Sequence, residues 1–101
     1  MLLKKIEQGK QVGLEIRIPK MNTHFWYSYA VQKNDNTYYV YESEINEEKM
    51  ASEEFEYEIV KKFNSIKDVI DNFPRKYGLS FYDIHVLKGE RIFNINFYKD
   101  D

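Results

Sequence analysis

The sequence predicts an α+β fold, a two-layer domain in which an antiparallel sheet of four to five strands carries one main helix on one face. Two observations predict this fold. Several segments alternate apolar and polar residues with the period of a half-buried strand, and one segment, residues 66–77, repeats apolar residues at helical spacing. The length of 101 residues suits a single domain, residues 1–101.

The first part of the chain predicts one short helix and one strand. Residues 1–9 allow a possible short N-terminal helix that Gly9 ends. Residues 12–18 alternate strictly between apolar and other side chains, which is typical of a strand with one buried face. We expect Pro19 to end this strand, because proline cannot donate to a strand ladder.

A β-hairpin follows. Residues 24–32 and 37–43 are rich in aromatic and β-branched side chains, as strands are. The residues between them, Asn34, Asp35 and Asn36, tolerate the left-handed backbone of a tight turn.

The register of this hairpin stays open at the level of sequence. A two-residue turn at Asp35 and Asn36 pairs Val31 with Val40, whereas a three-residue turn pairs Val31 with Tyr39. The choice matters because a slip of one residue moves every side chain of the strand to the other face of the sheet.

Residues 44–53 carry many acids and few apolar side chains, so we expect an exposed connection. In the next segment, residues 54–63, Phe55, Ile59 and Phe63 would also suit a helix. We favour a strand there because Tyr57 fits only the alternating pattern.

Residues 66–77 form the predicted main helix. Ser65 and Asp68 have the spacing of a capping box, and Gly78 supplies a stop signal. Pro74 is a strain point that can kink the last turn or end the helix early. After a loop, residues 91–98 alternate again and predict a closing strand, with Phe93, Ile95 and Phe97 on one face.

The second face of the sheet is expected to meet water, because three of the predicted strands carry polar side chains on it. These side chains are Glu15, Arg17, Glu54, Glu56, Glu58, Asn94 and Asn96. The hairpin nevertheless has large side chains on both faces. We therefore expect some of its aromatic residues to be exposed unless the N-terminal helix covers them.

Composition excludes several kinds of chemistry. The chain has no cysteine, which removes disulfides, thiolate metal sites and cysteine nucleophiles. Its two histidines, His24 and His85, lack metal-ligand spacing, and its four glycines form no phosphate-binding loop. We therefore predict no enzyme activity, no catalytic residues, no metal and no cofactor.

Charge is distributed unevenly along the chain. The formal net charge is −2, but the segment Glu42–Glu58 holds eight glutamates and one lysine, a net charge of −7. Acids beside aromatic residues suit docking on a basic protein surface, although an acidic segment can also serve solubility alone. The predicted partner-binding residues are Glu42, Glu44, Glu47, Glu48, Glu53, Glu54, Glu56, Glu58, Trp26, Tyr38, Tyr39 and Tyr41.

The same charge pattern argues against other partners. The hairpin offers only Lys33 as a base among its aromatic residues, so we predict no direct binding of nucleic acid. No apolar run is long enough for a signal peptide or a membrane span, and we expect a cytoplasmic protein without a membrane partner. The sequence leaves a monomer and a homodimer equally open.

The stretch SIKDVIDNFPRKYGLSFYDIHVLKGERIFNINFY, residues 65–98, resembles the C-terminal part of small immunity proteins of Firmicute toxin–immunity systems. This resemblance covers about a third of the chain. It implies a protein that binds one cognate toxin domain and blocks it stoichiometrically, without chemistry of its own. It assigns no individual contact residue.

Our leading hypothesis is therefore a non-enzymatic inhibitor that covers a basic active-site surface with an acidic and aromatic face. An immunity protein is its most specific form. The alternatives are a phage-encoded inhibitor of a host nuclease, such as an anti-CRISPR protein that mimics nucleic acid, and a generic protein-interaction module.

Overall fold

Five antiparallel strands form one open sheet in the computed structural model, which describes residues 1–98. The strands are β1 (Val12–Lys20), β2 (Thr23–Asn34), β3 (Thr37–Asn46), β4 (Phe55–Phe63) and β5 (His85–Val86), in the order β4-β3-β2-β1-β5. The helices are α1 (Leu2–Glu7) and α2 (Ile66–Asp71), and single 3₁₀ turns span Glu47–Lys49, Phe81–Asp83 and Ile95–Phe97. The predicted α+β class and antiparallel sheet are confirmed. No helix within residues 1–98 is long and apolar enough to cross a membrane.

The prediction of one main helix over residues 66–77 is wrong. Helix α2 begins as expected, since the side chain of Ser65 accepts a hydrogen bond from the backbone N–H of Asp68. It ends after six residues, at Asp71. Pro74 explains the early end, because proline lacks a backbone donor and disfavours helical backbone in the residue before it.

The predicted closing strand over residues 91–98 is also wrong. This segment is irregular and contains only the 3₁₀ turn Ile95–Phe97, which the side chain of Asn94 caps by accepting from the backbone N–H of Asn96. Phe93 and Ile95 are buried, as the alternation indicates, but Phe97 is exposed. The fifth strand is instead the two-residue β5, which pairs with the beginning of β1.

Two predicted boundaries also need correction. Strand β1 continues past Pro19 to Lys20. Among the described residues, this part of β1 pairs only with β2, so the proline lies where the strand has one neighbour. Strand β3 continues to Asn46, so the predicted exposed connection begins later than residue 44. The strand predicted over residues 54–63 is confirmed as β4, which begins at Phe55.

The hairpin turn contains two residues, Asp35 and Asn36, with Asp35 in left-handed backbone at φ 57°. Val31 therefore pairs with Val40, and the three-residue alternative is excluded. This register places even-numbered β3 residues on the same face as odd-numbered β2 residues.

The main core lies on the face of the sheet that the two helices cover, which we call the covered face. Ile6 of α1 and Val69 of α2 pack with apolar residues of the strands, including Val12 and Val31. Because both helices lie on this face, α1 does not cover the aromatic residues of the opposite face.

The opposite face, which we call the open face, is only partly exposed to water. The C-terminal segment crosses it, and Phe93 and Ile95 pack there with Ala30, Tyr39 and Tyr41. The side chain of Gln11 fixes this segment. Its carbonyl oxygen accepts from the backbone N–H of Ile92 (2.7 Å) and of Phe93 (3.2 Å), and its amide donates to the carbonyl of Phe93 (2.9 Å).

Strand β1 approaches β2 closely at Gly13, which pairs with Ala30. A Cβ atom built on Gly13 would lie 2.2 Å from the backbone oxygen of Tyr29. Only glycine fits at this position without a shift of the backbone.

Two buried tyrosines of β2, Tyr27 and Tyr29, point into the covered face two residues apart but have different hydrogen-bonding partners. The hydroxyl of Tyr27 donates to the carboxylate of Glu42 (2.9 Å). The hydroxyl of Tyr29 has no partner within residues 1–98, and its ring packs edge to face on Phe73. A buried hydroxyl without a partner is destabilising, so the apolar ring of Tyr29 carries its contribution to the core.

We predict that Tyr27→Phe lowers the free energy of unfolding by about 2 kcal/mol, because it removes a donor from a buried carboxylate. Tyr29→Phe is the matched control in the same strand and on the same face. It should leave stability within about 0.5 kcal/mol of the wild type or raise it. Urea unfolding of the three proteins measures these differences, and equal losses in both variants would contradict the assignment.

Candidate functional site

The open face contains a cavity of about 320 Å³ beside the C-terminal segment. Its floor is formed by the strands, and its walls come from the connection between β3 and β4 on one side and from Ile92 on the other. We call it the open-face cavity. The residues that line it are Glu15, Trp26, Ser28, Tyr41, Ser43, Ile45, Met50, Glu53, Phe55 and Ile92.

Strand pairing brings the floor together from three neighbouring strands. Ser28 pairs with Ser43 of β3 and with Glu15 of β1, and Trp26 pairs with Ile45. Residues opposite one another in adjacent strands share a face, so this row of side chains points to the same side. The small serine side chains at the centre leave the hollow between the larger aromatic ones.

The cavity is lined mainly by apolar and aromatic groups. Tyr41 stacks in parallel on Phe93, with ring centroids 5.3 Å apart. Met50 and Phe55 are 46% and 37% exposed, which is unusual for large apolar side chains and places them at the mouth. The hollow therefore offers rigid aromatic surface to a ligand.

Two carboxylates also line the cavity. Glu15 accepts a hydrogen bond from the hydroxyl of Ser28 (3.1 Å), which fixes its orientation over the floor. Glu53 lies in the connection, with left-handed backbone at φ 56°, and makes no ion pair within residues 1–98. Both side chains are exposed, so their charges remain available to a ligand.

An ion pair between two exposed groups borders the tryptophan. Arg17 donates to both carboxylate oxygens of Glu47 (2.7 and 2.9 Å), and the indole N–H of Trp26 donates to the same carboxylate (3.1 Å). The Arg17 guanidinium, aided by Trp26, holds the pKa of Glu47 at about 2. The charge of Glu47 is therefore balanced by Arg17, and its carboxylate helps to hold the indole of Trp26 in place.

The predicted partner-binding residues divide into two groups. Trp26, Tyr41 and Glu53 line the open-face cavity. Near these, Glu58 accepts the hydroxyl of Tyr41 (2.7 Å), while Glu54 and Glu56 are exposed at the start of β4. Glu48 is exposed and accepts from the hydroxyl of Thr23 (3.2 Å).

The second group does not line the cavity and is buried, as Tyr41 of the first group also is at 4% exposure. Tyr39 lies on the open face but under the C-terminal segment. Tyr38 belongs to the core of the covered face, where its hydroxyl donates to Glu7. Glu42 and Glu44 also point into the covered face, because they pair with Tyr29 and Tyr27. These four side chains are not presented to a partner.

Glu44 is only 3% exposed and is neutralised by Lys20, the last residue of β1. Its carboxylate accepts from the ammonium of Lys20 and from the hydroxyl of Tyr77 (2.7 Å). Burial opposes its ionisation, but these two hydrogen bonds outweigh burial and hold the pKa of Glu44 below its ordinary value.

Glu42 has a similar environment. It accepts from the hydroxyls of Tyr27 (2.9 Å) and Tyr57 (3.2 Å), and the ammonium of Lys76 lies 3.3 Å away. Burial, followed by the Glu42 carboxylate, raises the pKa of Tyr27. Lys76 and Tyr77 belong to the irregular segment after α2, so these buried acids attach that segment to the sheet.

Sequence reasoning missed several residues of the open-face cavity. The alternating pattern treats Glu15 and Phe55 only as parts of strands. It does assign Glu15 to the polar side of β1. Gln11 carried no signal, since a single glutamine before a strand is common. Ile92 was assigned to a strand that does not form.

The side chains of the open-face cavity show which kinds of ligand it suits. Within residues 1–98, no group of three or more histidine, aspartate or glutamate side chains is placed to hold a metal ion. The cavity combines aromatic surface with two exposed carboxylates, and this combination suits a positively charged group with an apolar body. Comparison with known proteins adds no relative, because the chain matches no protein-family model, no curated protein and no solved structure.

We predict that Glu44→Gln lowers the free energy of unfolding by about 2 kcal/mol at about pH 7, since it removes a buried, hydrogen-bonded charge beside Lys20. The pKa of Glu44 is depressed in the folded state, so this contribution is present above its ordinary pKa of 4.5 and disappears as the pH falls below it. The difference between wild type and variant should therefore shrink toward about pH 3.

Urea unfolding across this pH range measures the difference, and Asp35→Asn at the exposed hairpin turn is the matched control, because Asp35 makes no ion pair within residues 1–98. The control should follow the wild-type stability at every pH. A Glu44→Gln difference that stays constant from neutral to acid pH would contradict a role for its ionised form.

Proposed function

We propose that this protein is a non-enzymatic inhibitory binding protein, and that its open face docks on a basic surface of a protein partner. The observation that carries the proposal is the open-face cavity, whose lining combines aromatic side chains with exposed carboxylates. An immunity protein that neutralises a cognate toxin domain is the form we favour, because of the resemblance of residues 65–98 described above.

The charges beside the cavity supply long-range attraction. Glu53, Glu54 and Glu56 are exposed and adjoin the mouth at Phe55. None of the three forms an ion pair within residues 1–98. Acids arranged in this way accelerate encounter with a basic partner and favour one orientation of docking.

The aromatic side chains supply the short-range contact. Trp26 is held by its hydrogen bond to Glu47, and Tyr41 by its stacking on Phe93 and its hydrogen bond to Glu58. Side chains that are already fixed lose little conformational entropy on binding. Tryptophan and tyrosine are also the residues that most often dominate binding energy at protein interfaces.

The open face would inhibit an enzyme by covering its active site. Enzymes that act on nucleic acid or other anionic substrates have basic active-site grooves, and an acidic face that covers the groove excludes the substrate. The inhibitor needs no reacting group for this, only a rigid surface of the correct charge. The same physics applies to an inhibitor of a host nuclease, which differs in its target.

Co-expression with the protein encoded immediately upstream in the source genome tests the inhibitory function. If that neighbour is a toxin, we expect it to stop growth of a heterologous host alone and to be tolerated when this chain is co-expressed. The two purified proteins should form a stoichiometric complex in which the toxin is inactive. A toxic neighbour that this chain neither binds nor inhibits would contradict the proposal.

We predict that the double variant Glu53→Gln and Glu56→Gln weakens binding to the partner protein by about tenfold at low salt, because two charges that attract the partner are lost. It should also reduce the dependence of the dissociation constant on salt. Isothermal titration calorimetry at two salt concentrations measures both effects.

The matched control is Asp35→Asn with Asp68→Asn, which changes the net charge equally at the hairpin turn and in α2, at two exposed residues that make no ion pair within residues 1–98. This control should bind as the wild type does. Equal weakening by both double variants would show that only net charge matters and would contradict docking through the open face.

A further inference from the structure

We propose that the open-face cavity receives one arginine side chain of the partner protein, with its guanidinium between Glu15 and Glu53. This inference rests on the proposed function and names the group that the open face recognises. It is argued from the size, lining and charge of the cavity.

The size of the cavity fits a single side chain. At about 320 Å³ it lies at the lower end of the range of 300–1,000 Å³ that holds small molecules. A helix or an extended peptide would need a groove that continues along the sheet. Ile92, which Gln11 fixes through the backbone, instead closes one side.

The lining fits a side chain with an apolar stem and a flat cationic head. Trp26 and Phe55 line the space together with Tyr41, which is only 4% exposed, and Ile45 and Met50 add aliphatic surface. Arginine packs its methylene groups against apolar surface and stacks its guanidinium on aromatic rings. A purely aliphatic side chain would fill the stem region but would leave the carboxylates without a partner.

Charge selects the cation and its position. Among residues 1–98, Glu15 and Glu53 are the carboxylates of the lining, and no lysine, arginine or histidine of that part of the chain lines this cavity. The neighbouring hollow shares Glu15 and Ile92 but is lined by His85, Lys88 and Arg91, which oppose a second cation there. A guanidinium offers five donors in a planar fork, enough for both carboxylates, whereas a lysine ammonium is a compact and strongly hydrated charge.

The fold already uses the same chemistry at the edge of the site. Arg17 binds Glu47 with two hydrogen bonds, of 2.7 and 2.9 Å, beside the indole of Trp26. This internal pair shows that a guanidinium, a carboxylate and this tryptophan are compatible in one arrangement. Glu15 and Glu53 offer a second such arrangement to a guanidinium from outside.

The experiment titrates the full chain with N-acetyl-arginine amide and follows the indole N–H signal of Trp26, the only tryptophan of the chain, by NMR. N-acetyl-lysine amide and N-acetyl-leucine amide are the comparison probes. We expect the arginine probe to bind with a dissociation constant of about 1–10 mM, and the other two to bind at least about threefold more weakly.

Three variants give the mechanism of recognition. Glu15→Gln and Glu53→Gln should each weaken binding of the arginine probe by about threefold or more, because each removes one of the two charges at the guanidinium. Neither should change binding of the leucine probe. Asp35→Asn removes a charge far along the hairpin and should leave all three probes unaffected.

Equal affinity for the arginine and leucine probes, absence of saturable binding, or unchanged arginine affinity in both glutamate variants would overturn this inference. Such a result would leave the proposed function standing if the Glu53 and Glu56 double variant still loses the partner. If instead the arginine probe binds as expected but that double variant keeps full partner affinity, the proposed docking face fails, and the assignment of the bound arginine to the partner is overturned with it.

Discussion

The two-residue turn at Asp35 and Asn36 is the constraint on which the rest of this structure depends. It pairs Val31 with Val40 and so fixes which face of the sheet each residue of β3 occupies. Tyr41, Ser43 and Ile45 thereby point to the open face, where they form part of the cavity floor. A turn longer by one residue would exchange the two faces of β3 and remove this floor.

The same parity sends Glu42 and Glu44 into the covered face, where a carboxylate is costly unless it is paired. The chain supplies the compensation from distant positions: Lys20 at the end of β1, and Lys76 with Tyr77 after α2. These contacts attach the irregular segment after α2 to the sheet, in addition to the packing of its aromatic rings on Tyr27 and Tyr29. The acidic run of the sequence therefore has two physical roles, internal attachment for its first two members and surface charge for its exposed ones.

Much of the sheet was predictable because alternation is a local property. Strands β1, β2, β3 and β4 were all recognised, and one of the two hairpin registers considered is the one formed. The helix over residues 66–77 failed because its spacing continued past Pro74, and the backbone restriction of proline outweighed the apolar pattern. The strand over residues 91–98 failed because Phe93 and Ile95 are buried by packing on the open face, which produces alternation without strand pairing.

The candidate site was less predictable because it depends on pairing between strands. A count of charges treats Glu42 and Glu53 alike. The register buries Glu42 in the covered face, whereas Glu53 lies in the connection after β3 and lines the cavity. The hydrogen bonds of the Gln11 side chain join residues about eighty positions apart, and no local sequence pattern predicts them. The sequence shows that residues 24–32 and 37–43 are rich in aromatic side chains. Which of these side chains lie in the core and which line the cavity follows from the same register.

The register of β2 and β3 is thus the most direct test of the account. Cross-strand nuclear Overhauser contacts measured on the labelled protein distinguish the two pairings. We predict contacts of Val31 with Val40 and of Tyr29 with Glu42. Contacts of Val31 with Tyr39 and of Tyr29 with Tyr41 would place Glu42 and Glu44 on the open face, and they would contradict both the buried attachment and the cavity described above.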